Sequence, residues 1–174
     1  MKLISAIATL TVTAVIQGAM AACSVPMDTG TVVIRDFQSN AFDLAYASSV
    51  DLTPVQTLNH KPGGGAQAWT IVADSKTGLY SIQNTGSGTY LSYTGAVTGM
   101  IPTCAQLCGH SAPFLWNITA SGISNGCNII EPSTGLVATS YKIINSATIG
   151  STTPVTLQNF DGKVTQQIFT LANF

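Results

Sequence analysis

The chain has 174 residues, with six basic and seven acidic side chains and a formal net charge of −1. Only 7% of it is charged while 45% is apolar, so the surface has to be dressed with Ser, Thr, Asn, Gln and Gly. A near-neutral chain without a basic stripe is not built for nucleic acid or for an anionic membrane. An uncharged polar surface suits neutral ligands such as glycans.

In chain order, the first feature is a targeting segment. Lys2 is followed by an apolar run over residues 3–16 and by Gly18-Ala19-Met20-Ala21, with small residues at Ala19 and Ala21 where a signal peptidase reads. Residues 1–21 therefore read as a secretory signal peptide, leaving one domain over 22–174 outside the cell. The apolar run is too short for a membrane anchor, which needs about 20 apolar residues. No later segment is long and apolar enough, so no membrane insertion is expected. Without Lys2 the mature chain has five basic against seven acidic residues.

All four cysteines, Cys23, Cys104, Cys108 and Cys127, follow the signal. An even count in an oxidising compartment predicts two disulfides, with all three pairings open. A zinc site is the alternative, but the chain offers only His60 and His110 beside them, and export disfavours metal. No metal and no cofactor are expected. Asn117-Ile118-Thr119 is a glycosylation sequon that overlaps a strand-like stretch.

Past the signal, short runs rich in Val, Ile, Thr, Tyr and Phe are punctuated by Gly, Asn, Ser and Pro clusters at intervals of about 8–12 residues, the pattern of an all-β sandwich or barrel. Strands are predicted near 32–35, 42–46, 53–60 and 67–71. The same succession follows near 79–83, 90–93, 103–107 and 114–118, and again near 127–131, 136–140, 153–160 and 167–170.

These runs repeat. Thr53-Pro54-Val55 recurs as Thr153-Pro154-Val155, and Gln67-Ala68-Trp69-Thr70 recurs as Gln167-Ile168-Phe169-Thr170. A middle copy places Phe114-Leu115-Trp116 at the Gln-x-Trp position and 103–107 where 53–57 stands. The copies are bounded near 29–73, 78–120 and 123–173. Three four-stranded copies, twelve strands in all, suit a closed barrel capped by hairpins with pseudo-threefold symmetry, because closure removes exposed sheet edges. That arrangement is a β-trefoil, and it leaves one surface hollow per copy as a ligand site.

The Gln-x-Trp motif at the end of each copy (Gln67-Ala68-Trp69, Phe114-Leu115-Trp116, Gln167-Ile168-Phe169) resembles the ricin B-type lectin family over essentially the whole mature chain. The resemblance implies a β-trefoil and carbohydrate binding. It also implies a site pattern: an Asp on the second strand, an aromatic ring late in the third, and an amide just before Gln-x-Trp. The chemistry is sound, since paired sugar hydroxyls need a bidentate acceptor and sugar C–H faces pack on rings.

Carried onto this chain, the pattern selects Asp43, Asn59, His60 and Gln67 in the first copy. Leu58 stands at the stacking position there, with His60 nearby as a substitute ring, and Ala66 stands at the amide position. In the third copy it selects Gln158, Asn159, Phe160, Asp161 and Gln166, with Ala138 read at the Asp position. The middle copy has Ser92 for the Asp, and no site is expected in it.

Catalysis is not expected. The two histidines fall in different copies, the seven carboxylates form no close pair, and Gly63-Gly64-Gly65 lacks the lysine and helix of a phosphate loop. Glycans or glycoproteins are the expected partners. A protease is the rival partner, engaged through loop 59–66 or 96–102, since several β-trefoils inhibit proteases. A third alternative is an interaction protein with no ligand.

Overall fold

The computed structural model describes Cys23, Val25 and residues 30–96, 105–123, 125–142 and 152–174. The expected signal peptide at 1–21, Cys104 and nearly all of loop 96–102 lie outside these residues.

Short strands alternate with tight turns, as β-branched and aromatic runs broken by Gly and Asn dictate. They are β1 (Thr31–Arg35), β2 (Ala41–Leu44), β3 (Thr53–Leu58), β4 (Trp69–Ala73), β5 (Tyr80–Asn84), β6 (Tyr90–Tyr93) and β7 (Leu107–His110). After them come β8 (Leu115–Ala120), β9 (Cys127–Ile130), β10 (Val137–Thr139), β11 (Thr153–Pro154), β12 (Thr156–Gln158) and β13 (Thr170–Asn173).

All pairings are antiparallel. The run β5-β4-β1-β2-β3-β7-β6 returns to β5 through the Gln83–Tyr90 pair, closing a barrel. β8, β9, β10 and β12 extend from β5. They are tied back by bridges between Gln106 and Thr156 and between Cys127 and Phe169. β11 joins β3, and β13 joins β1.

The core is one cluster centred on Trp69, Trp116, Phe42, Phe169, Leu44, Leu91, Leu107 and Leu157. The two indoles are fully buried and satisfy their N–H groups on backbone: Trp69 Nε1 donates to Phe42 O at 3.1 Å, and Trp116 Nε1 to Leu91 O at 2.9 Å. Phe169 has no donor to satisfy and meets Phe42 edge-on, with ring centroids 4.9 Å apart. Truncating either Trp to Ala would cost about 3–5 kcal/mol.

Three expectations are corrected. The strand read as 42–46 ends at Leu44, and Ala45–Ala47 forms a 3-10 turn closed by Ser48 N on Ala45 O. The strand read as 103–107 runs over Leu107–His110 instead. Leu107 opposes Tyr93 as Val55 opposes Leu44, so Ala105, not Thr103, takes the place of Thr53. Gly109 pins that register: a Cβ there would meet Thr89 Oγ1 at 2.6 Å and Leu44 Cδ1 at 3.0 Å, so only glycine passes.

The third correction concerns the cysteines. Cys23 is bonded to Cys127, tying the N-terminal segment to β9. Cys108, expected in a second disulfide, is a free thiol. It is buried, with Ser92 of β6 and Pro54 of β3 as its cross-strand partners. Burial and the nearby Asp51 charge push it up to about 11. Among the described residues no helix is long and apolar enough to cross a membrane, and no three metal-ligating side chains gather.

Candidate functional site

Asp43 is the third residue of β2. On a strand whose four residues are all buried, a carboxylate needs partners, because an unpaired buried charge is costly. It finds two amides. Gln67 Nε2 donates to Oδ2 at 3.1 Å, and Gln56 Nε2, directly opposite on β3, lies 3.4 Å from Oδ1. Asp43 is 7% exposed. Each carboxylate oxygen offers two lone pairs, so acceptor capacity remains toward the surface.

Gln67 is the brace of this corner. It sits in the 3-10 turn Gly65–Gln67, 2% exposed. Its Nε2 also donates to Asn59 O at 3.2 Å, and its Oε1 accepts from Lys61 N at 2.8 Å. His60 Nδ1 lies 3.2 Å from the same Oε1. One side chain thus ties β2 to loop 59–66. Gly65 allows the turn to seat: a Cβ on it would meet Gly86 Cα at 2.9 Å.

Above the carboxylate is an open hollow of about 360 Å³, lined by Asp43, Ala45, Tyr46, Gln56, Leu58, Lys61, Gly64, Ala66 and Gln67. Tyr46 stands on its rim, 99% exposed and held at φ 58° in the left-handed region. That conformation is uncommon for a bulky residue, and such strain clusters at ligand sites.

Of the residues selected in the first copy, Asp43 and Gln67 meet at this hollow. Asn59 contributes its carbonyl to Gln67, and its side chain is exposed. His60 braces Gln67 and meets Phe174 edge-on at 6.2 Å; neither lines the hollow. Gln56, Lys61 and Tyr46 do line it and were not singled out. Gln56 was discoverable as the cross-strand partner of Asp43. Tyr46 left no such signal, because its backbone turn is not written in the strand pattern.

The β10–β12 corner repeats the brace without the acid. Gln167 Nε2 donates to Asn159 O at 2.8 Å, and its Oε1 accepts from Asp161 N at 2.8 Å, as Gln67 does with Asn59 and Lys61. Its strand partner is Thr139 Oγ1 at 3.2 Å. Thr139 opposes Thr156 as Asp43 opposes Gln56. So Thr139 takes the Asp position, where Ala138 was expected; Ala138 is core.

Gln158 Nε2 bonds Tyr141 Oη and Thr156 Oγ1. Phe160 is 57% exposed. Asp161 Oδ1 accepts from Lys163 N, and Gln166 O accepts from Ser140 N. A hydroxyl here replaces the charged acceptor.

At the β6–β7 corner Ser92 faces Cys108, and Phe114 stands where the braces stand. It packs edge-on against Tyr93 at 5.2 Å and Trp116 at 5.0 Å, an apolar plug in place of a polar tie. Asn117 lies within β8, half-buried and paired with Ile130. His110, the last residue of β7, faces Tyr90 rather than the Ser92 position, and its Nε2 lies 3.6 Å from Asp51 Oδ2.

The model of the family described as ricin-type beta-trefoil lectin domain-like matches residues 65–158, more than half of the chain. The Rhizoctonia solani agglutinin is similar in structure at 19% identity, with a TM-score of 0.70 over 87% of this chain and 99% of that one. The Macrolepiota procera ricin B-like lectin, solved with lactose, is 19% identical, with a TM-score of 0.66 over 86% of this chain and all of that one. The designed threefold-symmetric protein ThreeFoil gives 18%, 0.68, 84% and 100% for the same measures. At these identities the likenesses show the fold, a β-trefoil-like barrel. No curated protein sequence matches this chain.

Proposed function

The chain belongs to the ricin-type β-trefoil lectin-like family, and from that premise we propose that it is a secreted carbohydrate-binding module whose working site is the Asp43 hollow. The observation that carries this reading is a buried carboxylate, braced by two amides, at the base of an open hollow with an exposed tyrosine on the rim. Two adjacent sugar hydroxyls donate to the free lone pairs of Asp43. The Tyr46 ring takes the C–H face that Leu58 cannot stack on, and Lys61 reaches the remaining hydroxyls as a donor.

The finer architecture belongs to the same proposal. The strands form three four-stranded copies over about 29–73, 78–120 and 123–173, and only the first keeps a carboxylate at the site position. The protein is then monovalent through this class of site. Glycans or glycoproteins are its partners, and no cofactor takes part. The hollow's lining holds a single carboxylate, whereas glycoside hydrolysis uses two facing acids, so the geometry supports binding rather than turnover. The protein is exported by its first 21 residues, and the Cys23–Cys127 bond fits an oxidising compartment.

The rival reading, protease inhibition, draws on the pinning of loop 59–66 through Gln67. The Lys61–Pro62 bond at its apex is a poor scissile bond for trypsin-like enzymes, so glycan binding is favoured. A glycan array of the disulfide-intact protein tests the choice. A related set of hits that Asp43→Ala removes while circular dichroism stays native supports the site. A blank array from a folded protein that inhibits a protease stoichiometrically reverses the order.

A further inference from the structure

Three residues end a strand and head the hairpin turn that follows it. Asp36 N bonds Asn40 O, Asn84 N bonds Thr89 O, and Glu131 N bonds Leu136 O. By strand register each faces one of the three buried aromatics. Asn84 opposes Trp69; Asp36 and Glu131 stand one residue beyond the Arg35–Thr170 and Ile130–Asn117 pairs, beside Phe169 and Trp116.

Two of the three are saturated. Asn84 Oδ1 accepts from Gly86 N and Ser87 N, while its Nδ2 donates to the carbonyls of Gly65, Ala66 and Ala68. Glu131 accepts from the backbone and hydroxyls of Ser133 and Thr134. Asp36 Oδ1 accepts from Gln38 N at 2.8 Å and Asn40 N at 2.9 Å, and the Asn40 side chain also favours the ionised carboxyl. Its buried Oδ2 nonetheless makes no hydrogen bond within 3.5 Å among the described residues.

The side chain is 5% exposed overall. Its turn is one residue shorter than the other two. The 3-10 turn at Thr165–Gln167 has the same closing bonds as Gly65–Gln67. Asn128 Nδ2 donates to its Gln167 O at 2.7 Å, but Asp36 has no amide with which to bond the turn's carbonyls as Asn84 bonds those of Gly65, Ala66 and Ala68. In that place lies a hollow of about 320 Å³ lined by Asp36, Phe37, Ser39, Ile123, Thr165, Ile168 and Thr170.

We propose that this hollow is a second ligand site, distinct from the Asp43 hollow, and that it takes one ring of a neutral saccharide, with a sugar hydroxyl donating to Asp36 Oδ2. The volume is at the low end of small-molecule sites. Phe37, Ile123 and Ile168 form an apolar wall for the C–H face, and the hydroxyls of Ser39, Thr165 and Thr170 bond the remaining sugar oxygens. The lining carries no cation, which excludes an anion. Its apolar wall suits a sugar better than a bare metal ion. Burial holds the Asp36 carboxyl above its ordinary range, against the bonds from Asn40 and Gln38; a donor at Oδ2 relieves that cost.

The test is a titration of the nitrogen-15-labelled protein, followed by amide NMR, with free galactose, glucose, mannose and N-acetylgalactosamine. It is run in the wild type, in Asp43→Ala and in Asp36→Asn. The asparagine keeps the turn acceptor and places an amide where Asn84 has one, filling the site. At least one sugar should shift the amides of Gln38, Asn40, Ile168 and Thr170 saturably, with half-saturation on the order of millimolar.

The shifts should persist in Asp43→Ala and vanish in Asp36→Asn. Ile123→Ser, at an exposed wall position, should weaken them several-fold if Asp36→Asn does not fold. Absence of saturable shifts at these amides with all four sugars overturns the proposal. So does their survival in Asp36→Asn, or their reproduction by sodium or potassium chloride alone. None of these outcomes bears on the Asp43 site, whose shifts fall on β2 and loop 59–66.

Discussion

Replacing Gln67 with Ala separates the structural role of the Gln-x-Trp motif from its binding role. The side chain makes four polar contacts: to Asp43 Oδ2, Asn59 O, Lys61 N and His60 Nδ1. Two of the partners, Asn59 and Lys61, belong to exposed loop residues that water can satisfy. The Asp43 carboxylate is buried and charged. A bond to a charged group is worth about 1.5–3 kcal/mol and a neutral one about 1. With partial replacement by water the loss should be about 2–4 kcal/mol. For a domain of this size 1 kcal/mol moves Tm by roughly 2–4 °C, so Tm should fall by roughly 4–16 °C.

Gln167→Ala is the internal control. It loses Asn159 O and Asp161 N in the same geometry, but its strand partner is the neutral Thr139 hydroxyl, so its loss should be smaller by about 1 kcal/mol. Denaturant unfolding of both variants supplies the comparison. A loss below about 0.5 kcal/mol in Gln67→Ala, or a larger loss in Gln167→Ala, would refute the assignment of Gln67 as the brace of a charged corner.

Other consequences follow from the same geometry. Asp36→Asn should stabilise the fold at neutral pH by about 1–2 kcal/mol, through one or two added hydrogen bonds. Because burial raises the folded Asp36 above its unfolded value of 3.8, the wild type loses stability as pH rises through the window just above that value. The gap between the two proteins in thermal melts should therefore widen across that window; a constant gap contradicts the burial cost. Burial also pushes Glu131 up, but the Thr134 and Ser133 bonds outweigh it and leave its carboxyl low. Its contribution is present above the ordinary glutamate value and lost as pH falls below it; Glu131→Gln should flatten that acid limb of the melt series.

Cys108, held up to about 11 by burial, should resist iodoacetamide at mildly alkaline pH in the folded protein and react on denaturation, as peptide mass mapping reads; fast native labelling would contradict its buried position. Tyr46→Ala should weaken glycan binding by roughly 5–30-fold, equivalent to about 1–2 kcal/mol of lost stacking, without lowering Tm. An unchanged affinity in calorimetry would remove the ring from the site.

The all-β fold was legible because its determinants are short-range. Short runs rich in Val, Ile, Thr, Tyr and Phe, with Gly, Asn, Ser and Pro punctuation, write strands and turns directly into the chain. The Gln-x-Trp recurrences mark where buried aromatics close on a neighbouring backbone, as Trp69 does on Phe42 and Trp116 on Leu91. Asp43 and Gln67 were selected because the resemblance to the ricin B-type pattern implies an Asp on the second strand and a repeated Gln before the aromatic, and the fold brings the two within 3.1 Å.

What escaped the sequence depends on register and backbone handedness. The β7 slip of two residues is set by the space above Gly109, which only the packed Thr89 and Leu44 define. Thr139 displaced Ala138 from the Asp position because β10 pairs with β12 through Thr156. Tyr46 reaches the hollow through a left-handed turn that strand propensity does not encode. Asp36 reads as an ordinary turn acid until its unbonded oxygen is set beside the saturated Asn84.

The most direct test of the central claim is the structure of the disulfide-intact protein with the tightest saccharide found on the array. The account predicts a sugar ring seated between Tyr46 and Asp43, with two hydroxyls on the Asp43 carboxylate and Gln67 unmoved beneath it. A saccharide bound at the β10–β12 corner, with the Asp43 hollow empty, would contradict it.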